Sequence, residues 1–120
     1  MERRTHRSED PYEALCLQLE HSRANGDLGA MVVTIDNGLL VAGAGSRALC
    51  EALGAVAPMI DEPSLDGRMP RVLEGQRIDV RSLSVLGETL FVASVGNTNG
   101  QSLWLQRSIN GVRRILGQAA

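Results

Sequence analysis

Two cysteines, two histidines and a few turn carboxylates are the side chains with which this chain could do chemistry. Cys16 and Cys50 fall inside apolar helical patterns, where free cysteine packs as a small hydrophobe. Buried thiols in a reducing cytosol are therefore expected, not a disulfide. His6 stands among the charged first residues and His21 on the polar side of a helical pattern, so both read as surface histidines. Without paired C-x-x-C or H-x-x-x-H spacing, these four residues make no zinc site. All 12 basic side chains are arginine. Lacking lysine, the chain can have no G-x-x-x-x-G-K-[ST] phosphate loop, no Schiff base and no lysine general base. Gly43-Ala44-Gly45-Ser46 lies between a strand and a helix, where phosphate-binding loops occur. It lacks the third glycine, and its flanking strands form a hairpin, not a parallel crossover. It reads as a plain strand-to-helix turn. Asp36 and Asp61-Glu62 are solvated turn carboxylates. No nucleophile has a partnering base. The expectation is a protein that is not an enzyme, with no catalytic residue, no cofactor and no metal.

A chain of 120 residues is the size of one domain with one core. It is long enough to hold together without metal or disulfide staples. Tyr12, Phe91 and Trp104 are its only aromatic rings, so Leu, Val, Ile and Ala must build the core. A formal net charge of −2 gives no electrostatic reason to expect nucleic acid or an acidic membrane as partner. Arg3, Arg4, His6 and Arg7 cluster near the start, and residues 1–9 read as a disordered tail before a domain over 10–120. No run approaches the ~18 apolar residues of a membrane span. The first residues are charged with no apolar stretch behind them, unlike a signal peptide, and a cytoplasmic location is expected.

Asp10-Pro11-Tyr12-Glu13 starts a first helix: Asp10 as cap, Pro11 at the first helical position, Glu13 where a capping box wants it. Tyr12, Leu15, Cys16 and Leu19 repeat at helical spacing until Asn25-Gly26 stops the helix. Leu28 to Ile35 reads as a strand. Asn37-Gly38 suits a two-residue hairpin turn, and Leu39 to Ala44 returns antiparallel. Both strands are apolar on both faces, as central strands are. Ser46 caps a second helix running to about Ala57, before Pro58. Asp61 to Gln76 is a long polar loop with Pro63, Gly67, Pro70 and Gly75. Ile78 to Val85 is a third strand whose alternation changes parity between Val80 and Leu83, which suggests a bulge or contact on both faces. Gly87-Glu88 fits a two-residue turn, and Leu90 to Val95 is a fourth strand. Asn97 to Gly100 reads as another hairpin loop, and Ser102 to Gln106 as a fifth strand with Leu103 and Leu105 on one face. Ser108 then caps a last helix. Ile109, Val112, Ile115 and Leu116 face its core, Asn110, Arg113, Arg114 and Gln118 face out, and Gly117 ends it.

The expected class is α/β of the α+β kind. The order is helix, two strands, helix, three strands, helix, with a mostly antiparallel five-stranded sheet carrying the helices. The second helix is the most informative segment. Leu49, Leu53, Val56 and Ile60 form one stripe, and Ala48, Cys50, Ala52, Gly54, Ala55 and Ala57 fill nearly everything else. A helix apolar nearly all round is normally buried nearly all round. The sheet of so small a domain covers one side only, so self-association is expected to cover the other.

Three stretches resemble the roadblock family, named for roadblock and dynein light chain 7, whose sheet is related to those of longin and profilin-like domains. They are Met31 to Ala42, the alanine-rich second helix, and Leu103-Trp104-Leu105-Gln106-Arg107-Ser108 with the following residues to Leu116. The resemblance spans roughly Asp10 to Gly117, and the Pro-Gly loop at 61–76 is its departure. It implies a homodimer in which second helices pair and third strands join two sheets. With the apolar pattern, it nominates Ala48, Ala52, Ala55, Met59, Ile78, Val80 and Ser82 as dimer-interface residues. It also implies a small Ras-like GTPase as partner or an adaptor role in transport and polarity complexes, with stimulation of GTP hydrolysis among bacterial members. No arginine is singled out as an inserted finger, since Arg113 and Arg114 are explained by favourable charge at a helix C-terminus. Two other classes remain open. One is a small-molecule sensor of PAS or GAF type, against which three rings argue for any flat ligand. The other is a purely structural subunit of a larger assembly.

Overall fold

Asp10 begins the first helix as its side chain accepts a hydrogen bond from the Tyr12 N–H at 3.0 Å, with Pro11 next in line. In the computed structural model, residues 10–59 and 71–119 are described. Their elements are α1 (Pro11–Gly26), β1 (Ala30–Ile35), β2 (Leu40–Gly45), α2 (Arg47–Val56), β3 (Arg77–Val85), β4 (Glu88–Gly96) and α3 (Gln101–Ala119). Short 3-10 turns occupy Ala57–Met59 and Arg71–Leu73. The tail expected at 1–9, the loop over 60–70 with Ile60, and the side chain of Gln118 lie outside the described residues. Asp27, in the left-handed conformation, ends α1 by bonding its N–H back to Ala24 and Arg23, two residues beyond the expected stop.

The strands form one antiparallel sheet in the order β2-β1-β4-β3. One of its faces is covered by α1 and α3 around Leu15, Leu19, Met31, Val33, Val92, Leu105 and Val112. The other is covered by α2, whose Cys50, Leu53 and Val56 pack with Ala57 and Leu73 on Ala30, Val32, Ala93 and Val95. The result is three layers, with the sheet between one helix and two.

Six expectations are corrected. The fifth strand does not exist among the described residues, because Ser102–Gln106 belongs to α3. Gln101, Leu105, Ser108, Ile109 and Val112 are the buried residues there, a 3.6-residue period. Leu103 is exposed while Leu105 is buried, so the two do not share a face. Ser108 is consequently a buried mid-helix residue whose Oγ lies 3.6 Å from the Met31 sulfur, not a cap. In the first hairpin only Gly38 has positive φ, and its N–H bonds Ile35 O at 3.0 Å. That is a three-residue loop of a type I turn plus one left-handed residue, not the two-residue form. In the β3–β4 hairpin, Leu86 and Gly87 are the turn residues, both with positive φ and enclosed by the Val85–Glu88 pair, one position earlier than expected. Finally, β2 is an edge strand, and only β1 of that pair is central.

The parity change in β3 is resolved without a bulge. Its register with β4 runs unbroken from Arg77↔Gly96 to Val85↔Glu88. Ile78 and Val80 pack on the α2 side, whereas Leu83 and Val85 pack on the α1–α3 side. The bulge in this sheet lies instead between β1 and β2, at Val33/Thr34.

Candidate protein-docking face

Ser46 caps α2 by accepting from the Leu49 N–H at 3.4 Å, and Gly45 before it takes φ +107. A Cβ on Gly45 would collide with the Gly29 carbonyl oxygen and crowd the Ala30 Cα at 2.9 Å. Packing of the strand against β1 thus accounts for this glycine without any ligand. Gly54 brings the middle of α2 down onto β2, where an added Cβ would meet Leu40 Cδ2 at 2.6 Å. These two contacts fix how α2 lies. Leu53, Gly54 and Val56 turn inward, and Ala48, Glu51 and Ala55 are left exposed.

Ala48, Ala52 and Ala55 follow one another at helical spacing along the outer side of α2, and Met59 comes next in the 3-10 turn that continues it. Ala48 and Ala55 are exposed, Met59 is 37 % exposed, and Ala52 is half-buried against the cluster beneath. Only Arg47 and Glu51 bring charge to this side, and they pair with each other at 3.1 Å across one turn. An exposed pair of this kind contributes little to stability. Ile78 and Val80 are half-buried at the rim of the same core cluster, and Ser82 on the same face is exposed. All seven residues nominated from the sequence are therefore at least partly accessible on the α2 side of the molecule.

Sequence reasoning missed Phe91. It sits opposite Ser82 in the β3–β4 register and is half-buried on the same face. The alternation of Phe91, Ala93 and Val95 along β4 was the signal that would have found it. Beside this face runs the outer edge of β3, which pairs with β4 alone among the described residues.

Burial pushes the Cys50 thiol above its ordinary value, and its sulfur is engaged by the Ala44 carbonyl at 3.4 Å, which makes it a poor nucleophile. Cys16 and Cys50 are both free and pack against the two opposite core clusters. His21 is exposed and stacks edge-on to Trp104, with centroids 6.0 Å apart. Among the described residues no three His, Cys, Asp or Glu side chains converge as a metal site. None of the described helices is long and apolar enough to cross a membrane.

No protein-family model matches the sequence, and no curated protein does. Solved structures do match. Myxococcus xanthus MglB superposes with a TM-score of 0.63 over 94% of this chain and 95% of that one, at 11% identity. An MglB with a tetrameric arrangement gives 0.64 over 94% and 95%, at 15% identity. The chain has the roadblock fold. The gliding protein MglB from Thermus thermophilus gives 0.63 at 13% identity, over 93% of this chain and 95% of that one. At such identities the likeness is one of fold, and it extends over nearly the whole length of both chains.

Proposed function

We propose that this chain is a homodimeric roadblock-type regulator or adaptor that works by binding, with a small Ras-like GTPase as its partner. The observation that carries the reading is the pairing of two unfinished surfaces on one side of a roadblock fold. The alanine side of α2 is exposed, and the β3 edge next to it has no neighbour among the described residues. A second copy related by two-fold symmetry would cover both at once, since an isologous interface sets the same patch against itself. Ala48, Ala52, Ala55 and Met59 would meet their counterparts across the axis, while Ile78, Val80 and Ser82 would flank the joined β3 strands. Small side chains on α2 allow the close helix approach that such pairing needs. The tetrameric arrangement of one MglB neighbour supports self-association within this fold.

Support for the GTPase comes from the roadblock resemblance and from the MglB-like fold. Stimulated hydrolysis, if it occurs, is the GTPase's own reaction, accelerated by contact. The test is to purify the Ras-like GTPase encoded nearest to this protein's gene and follow GTP hydrolysis with and without the chain. Complex formation by gel filtration is followed in parallel. A complex, with faster hydrolysis for an activator or unchanged hydrolysis for an adaptor, supports the reading. Absence of both a complex and any rate effect overturns the GTPase half of it.

A further inference from the structure

Charge is sorted by element in this chain. From Arg77 to the C-terminus there are five arginines (Arg77, Arg81, Arg107, Arg113 and Arg114) against Asp79 and Glu88, a local net charge of +3 in a chain of −2 overall. The helix α3 contains no acidic residue. Its inward face is taken by Gln101, Leu105, Ser108, Ile109 and Val112, all buried. Arg107, Arg113 and Arg114 are therefore left on the outward face, with Leu103, Gln106 and Asn110, and all six are exposed.

Neutral side chains stand among these cations. Arg81 donates to Gln106 Oε1 at 2.9 Å, and Gln106 Nε2 donates in turn to Asn110 Oδ1 at 3.2 Å. The Arg107 guanidinium lies 4.8 Å from the Trp104 ring centroid, which fixes it in place without neutralising it. Arg113 and Arg114 have no hydrogen-bond or ion-pair partner among the described residues. Leu103, 53% exposed, stands one turn before Arg107.

We propose that the outward face of α3 is a second docking surface, which takes an acidic protein segment bearing an apolar side chain. Guanidinium forks receive carboxylates in bidentate geometry, and Arg107, Arg113 and Arg114 present three. Leu103, exposed one turn before Arg107, offers the apolar contact. A membrane is a poorer fit, because three cations and one leucine fall short of the broad apolar face or double anchor that surface binding needs. A long polyanion is also a poorer fit, since it would meet the negative remainder of the chain, whereas a short segment is screened from it beyond about 10 Å at 0.1 M salt. The surface lies on the opposite side of the sheet from α2, so it stands whether or not the chain dimerises.

The test uses the whole chain and a short fluorescein-labelled helical peptide in which glutamates flank two leucines, with binding followed by anisotropy at about 0.1 M salt. The wild type is expected to bind the peptide. Arg113→Glu combined with Arg114→Glu should weaken binding by about tenfold or more. Arg71→Glu, an exposed site in the 3-10 turn on the α2 side, should leave it unchanged. Exchanging both peptide leucines for serine should weaken binding by about threefold or more. Circular dichroism melts should show each variant folded as the wild type is. The proposal is overturned if the peptide does not bind or if Arg71→Glu loses as much as the double variant. It also falls if phosphatidylserine vesicles or single-stranded DNA bind more tightly than the peptide.

Discussion

The two edges of the sheet are built in opposite ways. At one edge, β2 has six residues, of which four are Gly or Ala, and a bulge breaks its register with β1. Its last residue is a glycine pressed onto the backbone of Gly29. At the other edge, β3 has nine residues in unbroken register with β4 and apolar side chains on both faces. Short, bulged and small edge strands are how proteins discourage strand addition, and a long regular edge invites it. The β2 edge is closed by its own geometry, and the β3 edge is left ready for a second strand. A substitution at β2 should therefore damage the fold and spare association, whereas one at β3 should do the reverse.

Val80→Glu on β3 gives the largest expected effect. It places a carboxylate in the half-buried rim that a second copy would cover, and should weaken self-association by about 100-fold or more. The protomer should stay folded, with equilibrium sedimentation as the check. A Val80→Glu dimer of wild-type affinity would mean that β3 is not the joining edge. On β2, Gly45→Ala forces φ +107 on a side chain that has no room, and should cost about 2–4 kcal/mol of unfolding free energy. Urea denaturation would read that loss, and a neutral result would show that the β2 edge is not held by its glycine.

Smaller changes sharpen the same contrast. Thr34 lies at the β1–β2 bulge, wholly buried, with its Oγ1 lacking a partner among the described residues. Thr34→Val should be neutral or stabilise by up to about 1 kcal/mol, and a clear loss in denaturation would point to a bond at the bulge that this account omits. Leu86 holds φ +53 in the β3–β4 turn. Leu86→Asn restores the Asn-Gly pair such turns favour and should stabilise by roughly 0.5 kcal/mol. A lower melting temperature in that variant would mean that the exposed leucine has contacts outside the protomer.

Much of the fold was legible because local signals agreed with the tertiary structure. Asp10-Pro11 and Ser46 each mark a helix start that the structure confirms, and the Ile78–Val85 strand is right to within one residue. The failure at Ser102–Gln106 has a definite cause. Two of the five inward positions of that part of α3 are the polar Gln101 and Ser108, so a search for apolar repeats saw only Leu103 and Leu105 two apart. Gln101 is tolerated inside because its amide nitrogen donates to the Ser94 Oγ and to the Arg77 carbonyl at 3.0 and 3.1 Å. No local rule anticipates that arrangement. The turn at Leu86-Gly87 was missed because leucine rarely enters the left-handed region. On the docking face, the alanine stripe was visible as an excess of apolar residues, but Phe91 belongs to the face only through its register with Ser82.

The central claim is that the open β3 edge and the alanine side of α2 together make a homodimer. Light scattering of the wild type beside Ala55→Glu tests it most directly, because Ala55 is exposed in the protomer and its substitution leaves the core untouched. The account predicts a wild-type mass of twice 12.9 kDa and a folded Ala55→Glu monomer. A wild type that is monomeric at high concentration, or an Ala55→Glu variant that remains fully dimeric, would contradict it.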